Sequence, residues 1–379
     1  MTANPFILHV PDADVADLHD RLARTRFPDA APGEPWAYGT SVDYMRQLVA
    51  YWRDGFDWRT AEAKLNAYPQ FKQSKDDIDL HFLHVPGKGP RPIPLLLMQG
   101  WPGSVFEFID FIPRLTDPSA SAAILPTPSP SSPRRCRATG CRSGRARRAM
   151  ASRRSRPGMV ELMRSLGYER FAVQGGDWGG IIAGHMAAAH ADRLIGAHVN
   201  LLAVPRERQP PADAEHKTFF DELKGWLHEE TGYQWIQGTK PQTPSFALND
   251  SPAGLAAWIV EKFRSWTDCD GDVERALTRD QMLGNISFYW FTGAIGSSFY
   301  PYYFRKRRGW PVSVERPATA PVGYAAFPKE MVRPPRSVAE KTFVNLRRWT
   351  VFPRGGHFAA MEQPEALAKD VQAFFRELR

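Results

Sequence analysis

Apolar residues change their spacing near residue 78. Before it, the segment VPDADVADLHDRLARTRF sets Val15, Leu18 and Leu22 three and four residues apart, with Asp12, Asp14 and Asp17 early. Such spacing forms one stripe of an α-helix, and early acids suit its N-terminal dipole. A second helix is expected over 42–56, where Tyr44, Leu48, Tyr51 and Trp52 share a side, and a third over 61–65. From 78 the period shortens. IDLHFLHV alternates in part, and PIPLLLM is a nearly continuous apolar run of the kind buried on both faces of a parallel sheet.

Helices and strands then take turns: helix 160–166, strand 170–174, helix 180–190, strand 194–200, strands near 322–326 and 346–352, and a closing helix 364–378. This order predicts a doubly wound α/β core. The roughly 120 residues between 200 and 322 read as mainly helical and aromatic, too long for an ordinary connection, and predict an inserted lid. Four segments follow: an N-terminal helical extension over 1–77, a first core part over 78–203, a lid over 204–315 and a second core part over 316–379.

Composition adds little until the charge is located. At 43% hydrophobic and 24% charged over 379 residues, the chain reads as an ordinary globular enzyme. No apolar run approaches the roughly 18 residues of a membrane span, and MTANPFILHV shows no signal-peptide pattern, so a soluble, cytoplasmic protein without a membrane partner is expected. Three cysteines cannot form a disulfide framework and lack metal-binding spacing. The net charge of +8 would point to nucleic acid, yet ten arginines and no acid lie between Ala123 and Gly158. Without them the remaining 39 basic residues face 41 acidic ones, a net charge of −2. That segment uses little beyond Pro, Ser, Arg, Ala, Gly, Thr and Cys and has neither hydrophobic period. It reads as a basic arm or, our preference, as a stretch translated out of frame in GC-rich coding sequence. No nucleic-acid partner is expected.

Chemistry-bearing residues sit where strands end. The expected strand 170–174 runs into Gly175-Gly176-Asp177-Trp178-Gly179-Gly180 and then a small-residue helix. This is the layout of a nucleophile elbow, with Asp177 where hydrolases often carry serine. Glycines let the backbone turn sharply there, and backbone N–H groups can stabilise an oxyanion. In Gln99-Gly100-Trp101-Pro102-Gly103-Ser104 the Trp101 N–H is a second candidate donor. His357 follows the expected strand 346–352, and Glu330 follows the one before it, which completes the nucleophile, acid, histidine order of α/β-hydrolases. Two other patterns fail. Asp268-Cys269-Asp270-Gly271-Asp272 has its glycine at the wrong place for a calcium loop, and His81 and His84 lack a third ligand.

The chain resembles the epoxide hydrolases of the α/β-hydrolase fold, in the microsomal-type branch with an N-terminal epoxide hydrolase extension. PFILHVPDADVADLHDRLARTRFPD, GWPGS, GGDWG, GYQWIQGTKPQT, NISFYWFTG, FPKE and RGGHFAAMEQPE stand in that family's order. The resemblance implies Asp177 as nucleophile, Glu330 and His357 as the acid–histidine pair, the backbone of Trp101 and Trp178 as oxyanion hole, and Tyr233 and Tyr302 as proton donors. Tyr300 and Tyr303 remain alternatives to Tyr302, because Phe304 stands in the place of the family's glutamate. Gln99 replaces a common histidine, and 123–158 lacks the family's recognisable strand, turn and helix. The implied reaction converts a small-molecule epoxide to a vicinal diol through an aspartyl ester, with no cofactor and no metal; a homodimer stays open. The rivals are a haloalkane dehalogenase-like hydrolase and an inactive relic.

Overall fold

The computed structural model describes residues 3–75, 78–88, 92–116, 123–127, 157–204, 213–308 and 313–379. Among them, one sheet joins β1 (Asn4–Phe6), β2 (Gln70–Lys75), β3 (Ile78–Val85), β4 (Leu95–Met98), β5 (Ala123–Thr127), β6 (Phe171–Gly175), β7 (Leu194–Val199), β8 (Val322–Ala326) and β9 (Leu346–Val351). Their spatial order is β1-β2-β3-β5-β4-β6-β7-β8-β9. Pairing is parallel from β5 through β9 and antiparallel from β1 to β5. The apolar runs of β4 and β6 are buried throughout, as expected for strands covered on both faces. Register pairs Met98 with Gly175, so the loops after both strands emerge side by side.

Two features depart from the sequence reading. The 1–77 segment holds the three expected helices, Asp12–Ala23, Val42–Asp54 and Trp58–Asn66, but also supplies β1 and β2 to the sheet edge. Their short, polar sequences hide a strand period, as edge strands facing water often do. Within 123–158, residues Ala123–Thr127 do form a strand, in the slot between β3 and β4. Its three apolar residues before Pro126 are too few to carry a period. A helix then begins at Pro157, whereas 128–156, which holds the arginine cluster read as out-of-frame sequence, lies outside the described residues.

Between β7 and β8 run the lid helices, among them Ala214–Glu229, Gly232–Thr239, Gln242–Asp250, Pro252–Trp266, Arg279–Thr292 and Tyr300–Arg307. The N-terminal segment is tied to this lid by hydrogen bonds. The Trp52 indole donates to the Ser287 hydroxyl at 3.0 Å, and the Thr40 hydroxyl to the Ala257 carbonyl at 2.8 Å. No helix among the described residues is long and apolar enough to cross a membrane.

Candidate active site

The turn after β6 is the sharpest feature of the core. Helix Asp177–Ala189 begins on Asp177 itself, whose φ of 47° lies in the left-handed region. A non-glycine residue there stores about 1–3 kcal/mol of strain, and surrounding contacts must hold it. Those contacts require glycine nearby. A Cβ on Gly179 would run into the Met98 carbonyl, and one on Gly100 would strike the Asp177 carboxylate. With Gly100 bare, the Trp101 N–H donates to Asp177 Oδ1 at 2.8 Å, and the Trp178 N–H also acts on this carboxylate. Lid helix Arg279–Thr292 pins the Trp101 loop: Asn285 Nδ2 donates to the Pro102 carbonyl and the Tyr289 hydroxyl to that of Gly103, both at 2.9 Å.

His357 enters from the loop after β9, which turns through Gly355 at φ 106°. Its Nε2 lies 3.7 Å from Asp177 Oδ2, and its Nδ1 lies 2.9 and 3.1 Å from the two oxygens of Glu330, which follows β8. Glu330 is itself fixed, since its Oε1 accepts the Met331 N–H at 2.7 Å. Burial disfavours the charged form of both partners, and the consequences differ. It raises the Asp177 carboxyl above its usual range, opposed by His357 and the two tryptophan N–H groups. For His357 burial acts downward, yet the charge and hydrogen bond of Glu330, with the charge of Asp177, outweigh it and leave the imidazole raised.

The lid closes the third side with aromatic rings. Tyr233 stacks on Trp101 with centroids 4.9 Å apart, and Tyr302 stands edge-on to Trp178 at 5.0 Å and to Tyr233 at 5.7 Å. Both phenols are buried and interact with each other, and the Tyr233 hydroxyl accepts from Gln234 Nε2 at 2.9 Å. Burial, then the negative charge of Asp177 and for Tyr302 also Tyr233, raises both above their ordinary value, so both stay protonated. The two sequence alternatives lie elsewhere. The Tyr300 hydroxyl donates to Gln242 at 3.4 Å, and Tyr303 packs against Phe304 and the Arg307 guanidinium.

Several supporting residues have no local sequence signal. Asn285 and Tyr289 read as lid core, and Glu107 reads as an ordinary first-turn acid, yet it is buried near Gln99. Burial and the Asp177 charge lift its carboxyl well above the usual range. His81 and His84 have plain partners, Gln70 at 2.8 Å and Tyr168 at 3.1 Å. Among the described residues no group of three metal-ligating side chains occurs.

The family model "Epoxide hydrolase N terminus" matches residues 3–108. A Stigmatella aurantiaca protein assigned to the epoxide hydrolases is 39% identical, over 99% of this chain and 85% of its own length. Rabbit (Oryctolagus cuniculus) epoxide hydrolase 1 is 35% identical over 98% of this chain and 88% of its own. The crystal structure of juvenile hormone epoxide hydrolase from the silkworm Bombyx mori superposes with a TM-score of 0.85 at 30% identity, over all of this chain and 95% of that one. Likeness at this level runs through extension, core and lid alike, and so the chain belongs to the epoxide hydrolase family of the α/β-hydrolase fold.

Proposed function

We propose that this chain hydrolyses an epoxide in two covalent steps, with Asp177 as nucleophile. The observation that carries the reading is one carboxylate facing three kinds of group: a backbone N–H donor at Oδ1, an imidazole beside Oδ2, and a buried phenol pair that feels its charge. Oδ2 attacks a ring carbon as the carbon–oxygen bond of the strained ring breaks. Tyr233 and Tyr302, protonated at neutral pH, polarise the departing oxygen and supply its proton. Oδ1 becomes the ester carbonyl, already held by the Trp101 N–H, with the Trp178 N–H beside the carboxylate.

Water then adds to the ester carbon while His357 Nε2 takes its proton and Glu330 steadies the imidazolium. The tetrahedral oxyanion develops on Oδ1; on its collapse the leaving Oδ2 takes the proton held by His357 to complete the diol, and the second proton of the water restores the phenol. Alkylation also neutralises Asp177, which removes one of the charges that raise His357. The base therefore becomes readier as its step begins. Trp101, Trp178, Trp266 and Phe299 crowd this place with apolar rings, which suits a hydrophobic epoxide. Phenols that protonate oxygen, where a halide would need only N–H donors, favour this reading over dehalogenation.

The test is a single turnover with excess enzyme in ¹⁸O-labelled water. The diol should carry the enzyme's own unlabelled oxygen, with label entering Asp177 instead; label in the first-turnover diol would exclude the covalent route.

A further inference from the structure

The acid-rich loop that fails as a calcium site has a different place in the molecule. Asp268 follows Thr267, the C-cap of lid helix Pro252–Trp266, and lies against the His357 loop, where two carboxylates accept backbone hydrogen bonds across the lid–core boundary. From the core side, the Gly355 N–H donates to Asp268 Oδ2 at 2.8 Å. In return, the Asp268 N–H donates to Glu362 Oε2 at 2.8 Å, while Glu362 Oε1 accepts the Phe358 N–H at 3.0 Å. Between these ties the His357 N–H donates to the Trp266 carbonyl at 2.8 Å. Gly356 allows that approach, since a Cβ there would collide with the Trp266 carbonyl.

We propose that Glu362 is a positioning residue for ester hydrolysis, bridging the His357 loop to lid residue Asp268 so that the imidazole is aligned only when the lid is seated. This rests on the covalent reading above. Both Glu362 oxygens are used, one on each side of the boundary, and neither neutral glutamine nor shorter aspartate can reproduce that. Glutamine would turn its NH₂ toward one of the two N–H donors, and aspartate lacks the reach. The lid end carries more than Asp268. The Trp266 ring stands edge-on to His357 at 5.2 Å and packs against Tyr233 at 5.4 Å, so the segment that Glu362 holds touches both the base and a proton donor.

Charge gives the bridge a second consequence. The groups facing Glu362 are His357, Asp268 and, from the helix after Ser104, Glu107. Burial raises the Glu362 carboxyl to about 7, against the hydrogen bonds from Asp268 and Phe358 and the charge of His357. Ionised, Glu362 adds to the charges that raise His357. Removing the charge lowers the imidazole's proton affinity, which moves the acid limb of ester hydrolysis to lower pH.

Glu362→Gln and Glu362→Asp would be compared with wild type by quenched single turnovers, scoring ring opening and loss of the Asp177 ester by mass spectrometry. Both should slow ester hydrolysis about 10- to 100-fold, the value of a hydrogen bond to a charged group, and change ring opening less than about threefold. Only Glu362→Gln should shift the acid limb downward, because Glu362→Asp keeps the charge. Ester hydrolysis at the wild-type rate in Glu362→Gln would overturn the proposal. So would equal losses in both steps with an unmoved limb, the mark of general destabilisation. If neither variant folds, Asp268→Pro, which removes the N–H that donates to Glu362, should slow the same step, and a silent Asp268→Pro would overturn it too. A wild-type enzyme that forms no ester on the Asp177 peptide would sink the covalent reading itself, whatever these variants do.

Discussion

On the sheet side of the site, Asp177, Glu330 and His357 stand on three strand-end loops and are fixed by directional hydrogen bonds. On the lid side, Tyr233 and Tyr302 are fixed mainly by rings, with Trp101, Trp178 and Trp266 as neighbours. A hydrogen bond to a charged group contributes about 1.5–3 kcal/mol and has a narrow geometry, whereas an aromatic pair contributes about 0.5–1.5 kcal/mol beyond its burial and tolerates several. The two walls should therefore fail differently. Loss of a sheet-side group removes a chemical step, while loss of one phenol leaves a partner in place.

The sharpest break of that contrast is Asp177→Ala, which should lower turnover by at least about four orders of magnitude, since no neighbouring group can form the ester. Diol formation near the wild-type rate would remove Asp177 from the chemistry. His357→Gln should follow at about 10²–10⁴-fold, confined to the second step. Mass spectrometry should then find enzyme alkylated on the Asp177 peptide, and an adduct elsewhere would refute the assignment. On the lid side, Tyr233→Phe or Tyr302→Phe alone should slow ring opening about 10- to 100-fold and the pair about 10³-fold or more. Tyr300→Phe and Tyr303→Phe should leave it unchanged, and the reverse result would place the second donor elsewhere on that helix.

A smaller effect is carried by pH. Because His357 is raised above its ordinary value in the free enzyme, it stays protonated to higher pH than an ordinary imidazole, and under the proposed mechanism it would serve as a base only above that point. Esterification removes the Asp177 charge, so the acid limb for ester hydrolysis should lie below the His357 midpoint measured by NMR on free enzyme. Coincident values would mean that Asp177 does not act on His357. The smallest effect belongs to neither wall. Asp57 caps helix Trp58–Asn66 through the Arg59 and Thr60 N–H groups, and Asp57→Ala should cost about 0.5–2 kcal/mol in chemical unfolding without slowing either step.

Much of the sheet side was legible along the chain. Continuous apolar runs identified β4 and β6, and residues 170–174 and 364–378 anticipated Phe171–Gly175 and Pro364–Arg376 within two residues. A parallel sheet delivers its strand ends to one edge, so chain order alone brings Asp177, Glu330 and His357 near one another. The strands in 1–77 and at Ala123–Thr127 were not legible, because a short or polar strand takes its definition from its neighbours' hydrogen bonds and not from its own period.

By itself, then, the sequence determined the local elements, the Asp177 turn and the order in which reactive groups arrive, since these depend on side-chain period, glycine and proline over a few residues. Only the tertiary structure decided that Tyr302 packs against Trp178 and Tyr233 while Tyr300 and Tyr303 lie elsewhere, that Asn285 and Tyr289 pin the Trp101 loop, and that Glu362 meets Asp268. The Asn285, Tyr289 and Glu362 contacts join residues 94 to 186 positions apart in the chain. Their partners are chosen by how the lid packs on the sheet, and packing between distant segments leaves no period in either one.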